Sequence, residues 1–108
     1  MTTALIESFG SVDSWRADFR ASALAARGWV WLAVDLADGR LFNYLGDSEN
    51  SPALWGAVPV LAIDLHEHAY YLDFGGSRAK YVDAFLSVLD WDAAGAALVR
   101  ARSIAPPV

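Results

Sequence analysis

Cysteine is absent from all 108 residues, which excludes a disulfide framework and a thiolate metal site. Positive charge is also scarce, since 8 Lys and Arg face 13 Asp and Glu and the formal net charge is −5. Such an acidic chain is poorly suited to nucleic acid or to anionic membranes, and we expect neither as a partner. No apolar run approaches the ~20 residues of a membrane span. The N-terminus lacks the basic and apolar regions of a signal peptide. These absences predict a soluble, cytoplasmic protein.

Apolar side chains, in contrast, are abundant. Hydrophobic residues make up 56% of the chain and charged residues 19%, and there are five tryptophans, a balance that excludes disorder. A chain of this length supports one domain with one core. Its apolar fraction is high for a free monomer, so we expect an exposed apolar face that a partner covers.

The hydrophobic pattern predicts helices, then three antiparallel strands, then helices, which is an α+β domain. Ser11 and Ser77 are expected helix N-caps, and Asp90 or Asp92 is expected to cap the last helix. Gly28 is expected to end the second helix, and Asp38-Gly39 predicts a tight hairpin turn with positive φ at both central positions. The predicted helices are 2–9, 12–27, a short one ending at 74, one from 78 to about 89 and one reaching 102; the predicted strands are 29–34, 40–45 and 58–64. We assign 1–102 to the domain and 103–108 to a tail.

Both histidines of the chain lie in the stretch Asp64-Leu65-His66-Glu67-His68-Ala69-Tyr70-Tyr71, directly after an apolar strand. If the chain turns helical after the strand, Asp64 and His68 share a face because they are four residues apart. If it stays extended, Asp64, His66 and His68 alternate onto one side, and two histidines with one carboxylate suit iron or manganese. A plain hydrogen-bonded His–Asp pair without metal is the alternative to both geometries.

The same stretch resembles the C-terminal signature of the iron/manganese superoxide dismutase family, in which Asp-x-Trp-Glu-His-Ala-Tyr-Tyr is typical. Segments 9–11, 28–32, 78–82 and 84–85 and Trp91 match that family in order and spacing, so the resemblance covers about 5–102. It implies a three-stranded antiparallel sheet with helices packed around it.

The resemblance also implies iron or manganese as the cofactor, with Asp64 and His68 as ligands in the helical, four-apart geometry. His66 stands where the family has a tryptophan, and a rebuilt site could use it as a further metal ligand. No other catalytic residue is assigned.

Four residues around the metal have roles implied by the resemblance. Glu67 would hydrogen-bond the ligand histidine of a second subunit, and Tyr71 would reach across that dimer interface. Trp29 would help wall the site, and Arg78 would be the basic residue near it. We therefore expect a homodimer through the stretch from Glu67 to Tyr71.

The departures from the family leave the site half complete. Family members carry an N-terminal helical hairpin that donates two more histidine ligands, and this chain is expected to begin after it. There is no glutamine to hydrogen-bond a metal-bound solvent, although Glu49 or Asn50 lies near the loop position where one subgroup keeps that residue.

Two hypotheses follow from this half-complete site. In the first, the protein dismutates superoxide to oxygen and hydrogen peroxide, with the missing ligands supplied by a separate helical-hairpin chain or by a site rebuilt around His66. In the second, it is a non-catalytic dimerisation or scaffold module.

Overall fold

The computed structural model describes residues 1–46 and 56–103. Its sheet has the strand order β2-β1-β3, with β1 (Trp29–Asp35) between β2 (Leu41–Gly46) and β3 (Ala57–Asp64). Both pairings are antiparallel. The predicted α+β fold with a three-stranded antiparallel sheet is therefore confirmed.

Helices precede and follow the sheet along the chain. In the described residues they are α1 (Thr2–Phe9), α2 (Val12–Ala25), a 3-10 turn (Glu67–Ala69), α3 (Tyr71–Phe74), α4 (Arg78–Ser87) and α5 (Trp91–Ser103). No helix among these residues is both long enough and apolar enough to cross a membrane. Residues 104–108 of the predicted tail lie outside the described residues, as do Glu49 and Asn50 of the loop after β2.

The predicted N-caps are confirmed, because each cap oxygen accepts a hydrogen bond from the backbone N–H three residues later. The distances are 2.9 Å for Ser11, 3.4 Å for Ser77 and 2.9 Å for Asp90. The predicted end of α2 at Gly28 is wrong. The helix ends at Ala25, and Ala26 is already extended (φ −71°, ψ 150°), since its side chain is buried in the core and its carbonyl accepts from the Arg78 guanidinium.

The core lies between the sheet and the helices. Strand β1 is covered on both faces, as its apolar run predicts, and residues 30–34 are all buried. Trp15 and Phe19 of α2 are fully buried. The largest fully buried side chains are those of Trp15, Phe19, Leu5, Leu32, Ile63, Leu65, Val30, Val34 and Val82.

The β1–β2 hairpin has a wider loop than the tight turn predicted from Asp38-Gly39. The N–H of Asp35 donates to the carbonyl of Arg40 at 2.8 Å, which closes a loop over residues 36–40. Within this loop only Gly39 has positive φ (74°), and every other described residue with positive φ is also a glycine. The carboxylates of Asp35 and Asp38 each accept from the backbone N–H two residues later and stabilise this longer loop.

Strand β3 lies at one side of the sheet and contains an irregularity that suits its proline. The pairing with β1 shifts between Leu32 and Ala33, so that Leu61 and Pro59 face consecutive residues of β1 and Val60 is extra. Proline has no N–H for the ladder, which confines it to outer strands and bulges. Beyond this bulge the regular pairing resumes and continues to Asp64, the last residue of the strand.

Candidate metal centre

The segment after β3 stays extended for two residues before it turns. Leu65 is fully buried, and its N–H donates to the carbonyl of Gly28 at 2.7 Å. His66 is also extended (φ −67°, ψ 143°), and the 3-10 turn begins at Glu67. The expectation that the chain turns helical directly after Asp64 is wrong, because Leu65 is buried and hydrogen-bonded to Gly28 and His66 is still extended.

This mixed backbone brings Asp64, His66 and His68 together. The carboxylate Oδ1 of Asp64 lies 2.8 Å from Nδ1 of His66, and Oδ2 lies 3.0 Å from Nε2 of His68. One donor atom from each residue can be chosen so that all lie within 4.8 Å of one another. The two imidazole rings are nearly parallel, with centroids 5.4 Å apart. The cluster fits neither the fully extended nor the fully helical geometry. The extended backbone before the turn places His66 beside Asp64, and the 3-10 turn places His68 there.

The cluster lies at the surface, with a more buried side and an exposed side. The side chains of Asp64 and His66 are 26% and 27% exposed, whereas that of His68 is 74% exposed. Partial burial alone would raise the pKa of Asp64, but the hydrogen bonds from the His66 amide and from the two imidazoles outweigh it. The pKa of the Asp64 carboxyl is therefore lowered, and the carboxylate form is favoured as a ligand.

Two side chains of α4 hold the backbone of the cluster. The hydroxyl of Tyr81 donates to the carbonyl of Asp64 at 2.9 Å. The guanidinium of Arg78 donates to the carbonyl of Leu65 at 3.2 Å and to the carbonyls of Ala23 and Ala26 at the end of α2. Arg78 therefore lies near the cluster, and the hydrogen bonds of its guanidinium go to main-chain carbonyls.

The residues of the cluster also lie within a segment that matches a known protein family. The model of the "Iron/manganese superoxide dismutases, C-terminal domain" family matches residues 1–97. The chain belongs to this family. The predicted family membership is thereby confirmed, and with it the assignment of the fold.

Relatives in this family carry either metal in their names. The chain is 49% identical over 84 residues to superoxide dismutase [Mn] 1 of Halobacterium salinarum. The aligned segment covers 78% of this chain and 42% of the relative. It is 42% identical over 97 residues to superoxide dismutase [Fe] of Cupriavidus metallidurans. The aligned segment covers 87% of this chain and 49% of the relative. The chain thus spans about half the length of the curated relatives it matches.

Trp29 is the neighbour of Asp64 across the sheet. The two residues are paired in the β1–β3 register, and Trp29 is half-buried. Its indole stacks on that of Trp31, with centroids 6.1 Å apart and planes 6° apart. The stack fixes the Trp29 ring beside the strand end that carries Asp64, a placement compatible with a wall of the site.

Glu67 and Tyr71 are on the exposed side of the cluster. Glu67 opens the 3-10 turn and is exposed, and its carboxylate makes no hydrogen bond or ion pair within residues 1–46 and 56–103. Tyr71 is 59% exposed, and the adjacent Leu72 is 95% exposed. We call the residues His68, Tyr71 and Leu72, together with Glu67, the 67–72 surface.

Two residues of the site were missed by sequence reasoning. Leu72 was not singled out because a single exposed leucine has no signature in a pattern. The sequence assigns Tyr81 no role of its own within the matching segment 78–82, yet it lies three residues after Arg78 and so shares its face of α4. That spacing was the available signal for a joint role of the two side chains.

The donor set is suited to a transition-metal ion. It offers one carboxylate and two imidazoles at a partly exposed position, and these oxygen and nitrogen ligands are the types that bind iron and manganese in non-haem sites. The arrangement can therefore hold a metal ion while leaving positions open on its exposed side.

Proposed function

We propose that this chain contributes Asp64 and His68 as ligands to an iron or manganese ion that dismutates superoxide to oxygen and hydrogen peroxide. The observation that carries the proposal is the 3.0 Å approach of Asp64 Oδ2 to His68 Nε2, at the positions of the family's signature. The remaining ligands come from a helical-hairpin segment, supplied by a separate chain, or from a site rebuilt around His66.

The metal would supply an ion that cycles between two oxidation states. The chain's own residues would hold and orient it. Asp64 is fixed through its main chain by Tyr81 and through its neighbour Leu65 by Arg78, so the carboxylate is presented from a rigid strand end. His68 is on the exposed turn, where a ligand from another segment can reach the same ion.

The roles of the surrounding residues belong to the same proposal. Trp29 would shield one side of the site, since its ring is held beside Asp64 by the stack on Trp31. Glu67 would accept a hydrogen bond from the ligand histidine of a second subunit, and Tyr71 would contact that subunit. The exposure of both side chains supports this placement at an interface.

The proposal is tested by metal content and dismutase activity together. The full chain is co-expressed with the N-terminal helical hairpin of a family member in medium containing iron or manganese, and metal is measured after purification. Asp64→Asn and His68→Ala are compared with Asp92→Asn, an exposed carboxylate of α5 that serves as the matched control.

We expect Asp92→Asn to retain metal and activity and both ligand variants to lose them. Retention of stoichiometric metal by Asp64→Asn or His68→Ala would overturn the assignment of these ligands. Metal without dismutase activity in the unaltered complex would overturn the proposed reaction.

A second candidate function, a non-catalytic dimerisation module, is favoured by the 67–72 surface. Leu72 is almost wholly exposed and Tyr71 mostly so, which is unfavourable for a free monomer and natural for a two-fold contact. Absence of bound metal under every growth condition, together with a stable dimer, would support this candidate over the first. The cytoplasmic location and the domain boundary at 102 stay predictions.

A further inference from the structure

His66 is placed as a ligand would be placed. Its Nδ1 lies 2.8 Å from one carboxylate oxygen of Asp64, while His68 approaches the other oxygen. Donor atoms that share a metal ion at about 2.1 Å are separated by roughly 3 to 4 Å. The three donor atoms lie within 4.8 Å of one another, so a small rotation of the side chains would bring them to the separations that a shared ion requires.

We infer that Asp64, His66 and His68 form a compact three-ligand site that binds a divalent first-row transition-metal ion within this chain alone. The inference rests on the proposed function for Asp64 and His68 and adds His66 to it. All three ligands lie within five consecutive residues.

The local structure lowers the cost of assembling this site. His66 is only 27% exposed and is extended, because Leu65 beside it is buried and hydrogen-bonded to Gly28. Its main-chain N–H also donates to Asp64 Oδ1 at 2.9 Å. The nearly parallel ring of His68 keeps the second imidazole on the same side. Binding therefore requires ordering of one exposed side chain, that of His68.

The ligand set also predicts which ions bind most tightly. Affinity of a nitrogen and oxygen site rises from Mn²⁺ through Fe²⁺ and Co²⁺ to Ni²⁺ and Cu²⁺. A three-ligand site on an open surface imposes little geometry of its own, so it follows that order. We expect Co²⁺ to bind the isolated chain more tightly than Mn²⁺.

The inference is tested on the full chain with Co²⁺ and Mn²⁺ as probes. Co²⁺ is titrated by calorimetry and by its visible absorption, and Mn²⁺ by its electron paramagnetic resonance signal. His66→Phe removes the ring nitrogens but keeps an aromatic ring beside His68, and Tyr44→Phe serves as the matched control on β2. Circular dichroism confirms that each variant is folded.

We expect His66→Phe to weaken Co²⁺ binding by at least about 10-fold, since even partners that only orient a ligand are worth 10- to 100-fold. Tyr44→Phe should leave the affinity unchanged. Equal affinity in the unaltered chain and in His66→Phe would overturn the inference while leaving the proposed function intact. Failure of the unaltered chain to bind Co²⁺ would do the same.

A measurement without any variant gives an independent answer. The chain has only two histidines, so two sets of imidazole proton resonances are expected. Diamagnetic Zn²⁺ should shift both sets if both rings bind the ion. A shift of one set alone would overturn the three-ligand site. The proposed function fails separately, through the metal content of Asp64→Asn and His68→Ala.

Discussion

The hydroxyl of Tyr81 donates a hydrogen bond of 2.9 Å to the main-chain carbonyl of Asp64. This bond connects the middle of α4 to the end of β3, at the residue whose carboxylate lies between two imidazoles. The Tyr81 ring also stacks on Tyr70, with centroids 5.0 Å apart. The position of the proposed ligand Asp64 therefore depends on a helix that begins 14 residues later in the chain.

Removal of that hydroxyl should destabilise the fold modestly. We expect Tyr81→Phe to lower the free energy of unfolding by about 1 kcal/mol, because the carbonyl of Asp64 loses a partly buried donor while the ring packing is kept. Urea denaturation followed by fluorescence measures the change. Tyr44→Phe is the control. An equal loss of unfolding free energy in both variants would show that the hydrogen bond from Tyr81 to Asp64 contributes nothing specific to stability.

Alkaline pH should act on the same bond. Burial raises the pKa of Tyr81 above its ordinary value of 10.0, and the charges of Asp64 and Tyr70 raise it further. A raised pKa in the folded state means that the stabilisation is fully present below pH 10 and is lost as the pH rises through the folded-state pKa. The unfolding free energy of the unaltered chain should therefore fall more steeply above pH 10 than that of Tyr81→Phe. Parallel pH profiles would contradict this prediction.

Arg78 should be needed as arginine rather than as a positive charge. Its guanidinium reaches the carbonyl of Leu65 and two carbonyls at the end of α2, a set that one ammonium group cannot match. We expect Arg78→Lys to cost about 1 to 3 kcal/mol in unfolding free energy. Arg16→Lys, at an exposed position of α2, should change it by less than about 0.5 kcal/mol. Equal effects of the two substitutions on the unfolding free energy would contradict a specific role for the Arg78 guanidinium.

Gly46 should not tolerate a side chain. A Cβ built there overlaps the six-membered ring of Trp31, which is nearly buried and itself stacked on Trp29. We expect Gly46→Ala to destabilise the chain by about 1 to 3 kcal/mol, through displacement of that ring. Gly76→Ala is the control, since among the described residues other than its chain neighbours none has a heavy atom within 4 Å of the added Cβ. Thermal unfolding of both variants tests the difference.

The proposed homodimer should depend on the 67–72 surface. We expect a dimer in size-exclusion chromatography with light scattering at micromolar concentration, and a monomer for Leu72→Glu, because burying an unpaired charge at a contact is costly. Val99→Glu is the matched control, as Val99 of α5 is also largely exposed (69%). A monomer for the unaltered chain would rule out this dimer, and a dimer in Leu72→Glu would place the contact on another surface.

Much of the fold could be predicted because its signals are local. The apolar residues of α2, among them Trp15 and Phe19, recur at helical spacing. Residues 29–34 of β1 are apolar at both odd and even positions. The caps at Ser11 and Ser77 act on amides only three residues away. Turn details were predicted less well, since the Asp38-Gly39 pair fits a tight hairpin and also the five-residue loop that forms.

The sequence by itself determined the family, the core and the stretch that carries both histidines. Whether His66 joins His68 beside the Asp64 carboxylate could not be decided from spacing, because an extended chain places both histidines on the side of Asp64 and a helix only His68. Tertiary contacts decided it. The amide of Leu65 bonds to Gly28, and α4 holds Leu65 and Asp64 through Arg78 and Tyr81, so the chain stays extended through His66 and turns only afterwards. These contacts join residues far apart in the chain, so no local pattern contains them.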